Sequence, residues 1–293
     1  MFDEFVQERV VINGVGIATW RAGAGPPVLL VHGYPQTHVM WHRVAPALTD
    51  EFTVVCVDLR GYGDSGKPAG DTGHRSYAKR VMAQDLVDVM GTLGHRRFSI
   101  AGHDRGGRVA LRLALDRPDV VDRLAILDIV PTATIYETLD QRRATTVWRY
   151  LFLVQPPDLP ERLIGAQRER YLRWTFDEWC GTPGAIADEA MSEYLRCFDE
   201  DTIHATCEDY RAGATIDLEH DRADADARLN CPVLVLYSAS GIGSQYDVPR
   251  IWSRRSDDVH CEAVDCGHFI AEERPDITAA QLGAFFGGSL QLA

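Results

Sequence analysis

The chain has 293 residues and a formal net charge of −13, with hydrophobic residues at 45% and charged residues at 25%. That length suits one large α/β domain with an insertion, or two small domains, and the composition is that of an ordinary globular protein. The acidic balance argues against nucleic acid or an anionic membrane as partner, and no apolar run reaches the ~18 residues that a membrane span needs.

The opening MFDEFVQERV is acidic and polar, without the basic start and apolar stretch of a secretory signal, so a cytoplasmic location is expected. The seven cysteines form no CxxC pair and are odd in number, which fits reduced thiols. An anionic substrate would need a local positive site to overcome the overall field. Basic residues are almost all arginine; Lys67 and Lys79 are the only lysines.

In chain order, PPVLLVHGYP is a short apolar run that stops at a Gly/Pro turn, as a buried strand does. FTVVCVDLRGYGDS repeats the pattern, with residues 53–58 as strand and a glycine-rich loop after it. Residues 78–93 show helical spacing at Val81, Leu86, Val89, Met90 and Leu93. FSIAGHD is a third strand, GGRVALRLALDRP the helix after it, and RLAILDIVP a fourth strand. CPVLVLYS and HCEAVD read as a fifth and sixth, and residues 275–286 as a helix. Strands alternating with helices imply a mostly parallel sheet covered on both faces. Residues 136–224 break that rhythm, being rich in Arg, Trp, Tyr and Glu. They are expected to form a helical cap over a core made of residues 1–135 and 225–293. Such a cap excludes water and shapes a pocket.

The most informative stretch is Gly102-His103-Asp104-Arg105-Gly106, at a predicted strand-to-helix junction. It fits the sharp turn G-x-nucleophile-x-G, with Asp in the nucleophile's place. The helix that follows turns its free N–H groups toward an anion. An Asp capping an ordinary helix is the plain alternative. The surrounding motifs weigh against it: His32-Gly33-Tyr34-Pro35, Asp58 to Ser65 (DLRGYGDS), Asp128 after RLAIL, and Gly267-His268-Phe269. Together, over nearly the whole chain, they resemble the Asp-nucleophile branch of the α/β-hydrolase fold.

A carboxylate nucleophile displaces a leaving group from saturated carbon and forms an alkyl ester on the enzyme, which an activated water then hydrolyses. The resemblance makes His268 the base and the backbone N–H groups of Tyr34 and Arg105 the oxyanion hole. His268 needs an acid partner. Asp128 is preferred, because LDIVP matches one subgroup; Asp247 is the fallback, and Asp265 is too near in sequence.

Arg105 and Arg108 adjoin Asp104. They either neutralise it or grip a substrate carboxylate bidentately in front of it, which would favour a very small anion. HDRGGR, LDIVP, LFLVQPP and DYRAG are similar to haloacetate (fluoroacetate) dehalogenases. That resemblance implies hydrolysis of 2-haloacids such as chloroacetate or fluoroacetate to glycolate and halide. It gives Arg105 and Arg108 the substrate carboxylate and implies no metal or organic cofactor. A homodimer is one expectation for the assembly. The same family uses His, Trp and Tyr as halide donors. Tyr210 matches the Tyr, Arg149 stands at the His and Tyr150 at the Trp, with Trp148 beside them, so fluoride preference is not implied. These aromatics also suit plain cap packing.

An epoxide hydrolase would use the same Asp104 and His268, with Tyr150 and Tyr210 protonating the epoxide oxygen, but would have no use for two arginines. A ligand-binding homologue without catalysis is the more distant alternative.

Overall fold

The computed structural model describes residues 1–290. Eight strands form one sheet: β1 (Val6–Ile12), β2 (Val15–Ala22), β3 (Pro27–Val31), β4 (Thr53–Val57), β5 (Phe98–His103), β6 (Val121–Leu127), β7 (Val233–Ser238) and β8 (Val259–Val264), in the order β1-β2-β4-β3-β5-β6-β7-β8. From β4 to β8 every neighbouring pair is parallel; β1–β2 and β2–β4 are antiparallel. The central strands β4 and β5 are buried at every residue, which matches their near-continuous apolar sequences. The helices Lys79–Thr92 and Asp104–Asp116 pack side by side on one face, and Pro275–Phe286 sends Leu282, Phe285 and Phe286 into the apolar cluster on the other.

The hairpin β1–β2 is absent from the sequence reading. Neither strand is a continuous apolar run: VQERVVI is largely solvent-facing, and VGIATWRA carries Thr19 and Arg21 among its apolar residues. The signal that marks it is the dipeptide Asn13-Gly14, both residues at positive φ (50° and 82°), which suits a tight hairpin turn.

Between β6 and β7 the chain forms eight helices, running from Thr132 to Ala223. They are bound to the sheet's loops by polar contacts as well as packing. Tyr171 Oη accepts from Tyr34 Oη at 3.0 Å, and Asp209 Oδ2 accepts from Tyr62 Oη at 2.7 Å. Glu272, just after β8, bonds to Tyr194 of these helices and accepts from Gln36 at 3.0 Å.

Candidate active site

Asp104 stands where β5 turns into the helix Asp104–Asp116, with φ of +44°. A non-glycine residue in this region is strained, and the neighbouring turns must hold it there. A Cβ at Gly102 would collide with the backbone of Gly106, and one at Gly106 with the carbonyl of His32, so the turn closes only with glycine at both places. The Tyr34 N–H donates to Asp104 Oδ2 at 3.0 Å. Burial works against ionisation of Asp104. The positive charges of His268, Arg105 and Arg108 outweigh it and hold the carboxyl below its ordinary pKa.

His268 follows β8, and its Nδ1 lies 2.6 Å from Asp128 Oδ2. Asp128 sits just past β6 at φ of +52°, with its other oxygen accepting the Ser238 N–H at 2.8 Å. Burial disfavours a charged His268. The hydrogen bond that His268 donates to Asp128 and the charges of Asp128, Asp104 and Glu273 prevail, and its pKa is raised. Asp247 instead caps the helix Val248–Ser253 through the Arg250 N–H and is exposed, as is Asp265. Of the three carboxylates, Asp128 is the one that contacts His268.

The loop bearing His268 is tightly held. Its own N–H donates to Trp179 O at 2.8 Å, and its carbonyl accepts from His103 Nε2 at 2.8 Å. Burial, then the charge of His268, pushes the His103 pKa down to about 3, so His103 is a neutral donor. The Glu273 carboxylate accepts N–H groups from Gly267 (2.9 Å), Phe269 (3.1 Å) and Gly181 (2.9 Å). One carboxylate thus ties both flanks of His268 to the inserted helical segment. Sequence reasoning passed over His103 and Glu273; their only signal was proximity to Asp104 and His268 in GHD and GHFIAEE.

The arginines are more committed than the sequence suggested. Arg105 is 1% exposed and lies 4.2 Å from the Tyr210 ring centroid. Its Nε and Nη2 donate to Asp209 Oδ2 and Oδ1, both at 2.8 Å. That edge of the guanidinium is spent on Asp209, so an incoming carboxylate cannot take the Nε/Nη2 fork. Arg108 Nη1 donates to Val130 O (3.0 Å) and Thr132 Oγ1 (2.9 Å), and its Nη2 to the Tyr150 hydroxyl (2.7 Å).

The four residues expected around a halide separate. Tyr150 and Tyr210 meet edge to face at 5.2 Å. Burial first, and the nearby Asp104 charge as well, raise both phenols above their ordinary pKa, so both stay protonated donors. Arg149 is buried, 2.6 Å from Glu178 and stacked 4.5–4.9 Å from the rings of Trp148, Trp174 and Trp179. Trp148 turns the other way, packing on Phe152 and on Trp174, which is 48% exposed. Both share the helix Trp148–Leu153 with Tyr150. Residues two apart on such a helix point about 200° from each other, which is why Trp148 and Tyr150 cannot face the same site.

This arrangement is a nucleophile turn at the end of a parallel strand, a histidine held by an acid from a neighbouring strand end, and a helical insertion above them. Residues 26–275 match the family model for the alpha/beta hydrolase fold, and the chain belongs to that family. Two curated relatives align over the full length. The fluoroacetate dehalogenase of Burkholderia sp is 42% identical over 289 residues, 97% of this chain and 95% of that one. The soluble epoxide hydrolase of Corynebacterium sp. (strain C12) is 34% identical over 291 residues, 98% and 99% of the two chains. Among solved structures, ALR0039 of Nostoc sp PCC 7120, assigned to the alpha/beta hydrolases, is 52% identical. It superposes with a TM-score of 0.96 over 97% of this chain and 99% of that one. The protein is a hydrolase of this family, related along its whole length to a fluoroacetate dehalogenase.

Proposed function

We propose that the protein hydrolyses small 2-haloacids to 2-hydroxy acids and halide through an aspartyl ester. The observation that carries this reading is an ionised, buried Asp104 with Arg105 and Arg108 beside it and the Asp128–His268 pair on its loop side. An Asp104 oxygen attacks the halogen-bearing carbon and the halide leaves, taking hydrogen bonds from Tyr150 and Tyr210. Arg149, paired with Glu178, and Trp148, packed on Phe152 and Trp174, are not halide donors in this reading. The substrate carboxylate is gripped by the Arg105 Nη1 and Arg108 Nη2 groups, one from each side chain, instead of a single bidentate fork. His268 then removes a proton from water, which adds to the ester carbonyl. The Tyr34 and Arg105 N–H groups stabilise the oxyanion, and collapse releases the hydroxy acid and regenerates Asp104.

The 42% identity to a fluoroacetate dehalogenase supports the substrate class. The proposal takes residues 136–224 as the cap and the remainder as the core. A cytoplasmic setting agrees with seven unpaired cysteines, and a homodimer is its expected assembly, which sedimentation checks. No helix among the described residues is long and apolar enough to cross a membrane.

One observation favours a second reading. Tyr150 and Tyr210 form a phenol pair beside Asp104, and the chain is 34% identical to a soluble epoxide hydrolase, so opening of a neutral epoxide by the same nucleophile is the alternative. Two buried arginines weigh toward an anion. The test is a panel of fluoroacetate, chloroacetate and styrene oxide with halide and diol readouts. Diol formation without halide release would replace the first reading by the second. Glycolate binding with neither product would favour a non-catalytic binder. Single-turnover hydrolysis in ¹⁸O-water should put label into the Asp104 peptide and little into first-turnover glycolate.

A further inference from the structure

We propose that Lys79 sets the charge of the substrate pocket: it is a positioning residue that acts through Asp209 to leave Arg105 attractive to a carboxylate. This rests on the reading above that Arg105 meets the substrate's carboxylate.

Arg105 carries Asp209 on its Nε/Nη2 edge, and Asp209 also accepts Nη2 through its main-chain carbonyl at 2.9 Å. A guanidinium with a carboxylate laid along it has most of its field cancelled, and such a pair alone would draw an anion weakly. Asp209 is shared, however. Its Oδ1 forms an ion pair with Lys79 Nζ, and its Oδ2 accepts from Tyr62. Asp209 is fully buried and Lys79 is 3% exposed. Lys79 Nζ also lies 3.5 Å from Asp217 Oδ2, while Asp217 Oδ1 accepts the Lys79 N–H at 2.8 Å.

A buried lysine is a costly choice, and this chain uses lysine only twice. Its position explains it. Behind the pocket, Arg105, Arg108 and Lys79 face Asp104, Asp209, Asp217 and the partly buried Asp221, so the layer has no cation in excess. Arg112, on the same helix as Arg108, and Arg80 together pair with Asp116 and Asp224, two charges against two, and add nothing to the balance. Removing Lys79 would make that layer one charge more negative and so more repellent to a carboxylate. Removing the Asp217 charge would make it one charge more positive.

The experiment compares wild type with Lys79→Met, Asp217→Asn and the double variant. Glycolate affinity is read by calorimetry, and kcat and KM with chloroacetate. A unit charge roughly 10 Å away at an effective dielectric of about 20 changes an equilibrium by about tenfold. Lys79→Met should weaken glycolate and raise KM by about that factor, with kcat changing less. Asp217→Asn, whose side-chain oxygen still accepts the Lys79 N–H, should tighten glycolate, and the double variant should return toward wild type. A merely structural lysine would give no tightening in Asp217→Asn and no recovery in the double variant, and either result overturns the proposal. If Lys79→Met fails to fold, Asp217→Asn alone decides. Chloroacetate turnover with unchanged glycolate affinities would sink this inference and leave the haloacid reading standing. The expected affinity pattern without chloroacetate turnover would do the reverse, and a wild type that neither binds glycolate nor turns over chloroacetate would sink both.

Discussion

Arg108 Nη2 donates to the Tyr150 hydroxyl at 2.7 Å, joining the residue proposed to grip the substrate to one proposed to receive its leaving group. Because the phenol oxygen accepts from a cation, its own proton is free to be donated elsewhere, and the Arg108 charge offsets part of the rise in pKa that burial causes. Tyr150→Phe should keep the fold and KM while slowing halide release by roughly 10²–10³-fold, as loss of one donor to developing charge does. Arg108→Leu should raise KM strongly for haloacetates and lower kcat less. Steady-state halide release from chloroacetate checks both, and unchanged kinetics would remove Arg108 from the site.

Asp104 is the residue whose loss should stop turnover altogether. Asp104→Asn retains a side chain that tolerates positive φ and can still accept the Tyr34 N–H, so the protein should fold as wild type does. Halide release should vanish while glycolate binding persists. Residual turnover, after spontaneous deamidation has been excluded by mass spectrometry, would mean that another group attacks carbon.

The pH profile should report His268. Burial opposes its charged form, but Asp128 and Asp104 raise its pKa, so the neutral base is lost below a midpoint above the ordinary histidine value of about 6.5. Hydrolysis of the ester should fail as pH drops through that midpoint, while ester formation continues. An acid-quenched sample should then carry the alkyl group on the Asp104 peptide after a single burst of halide. Asp128→Asn removes the contact that raises the pKa, so the limb should move to lower pH as kcat falls by roughly 10²–10⁴. A limb that does not move in this variant would separate the two residues.

Glu272 gives a stability prediction. It is 1% exposed, and burial first of all raises its carboxyl pKa from 4.5 to about 7, against hydrogen bonds from Tyr194 and Gln36. An acid whose folded pKa is raised binds its proton more tightly when folded. Its protonated form therefore costs no stability below pH about 4.5, and stability is lost as pH rises from there to about 7. The loss is on the order of 3 kcal/mol. Glu272→Gln stays neutral and still offers an oxygen to both donors. Denaturant melts should show it near wild type at pH 5 and more stable at pH 8. Equal stabilities at both pH values would show that Glu272 ionises in the fold without cost.

How much of this molecule its sequence spelled out depends on distance along the chain. The turn around Asp104, the glycines that allow it, the strand-helix alternation and the helical insertion are local patterns of period and punctuation. They were legible because each is encoded by residues within a few positions of one another. The hairpin at the start carried an equally local sign in Asn13-Gly14, which the emphasis on apolar runs overlooked. The pairing of His268 with Asp128 joins residues 140 positions apart, and that of Arg105 with Asp209 joins residues 104 apart. Nothing in a linear spacing distinguishes Asp128 from Asp247, or a free arginine from one already clasped by a buried carboxylate. Those outcomes came from which strands lie side by side and which helix face turns inward. Burial then removed the water that would otherwise have satisfied each charge, so every buried ion had to find its partner through space.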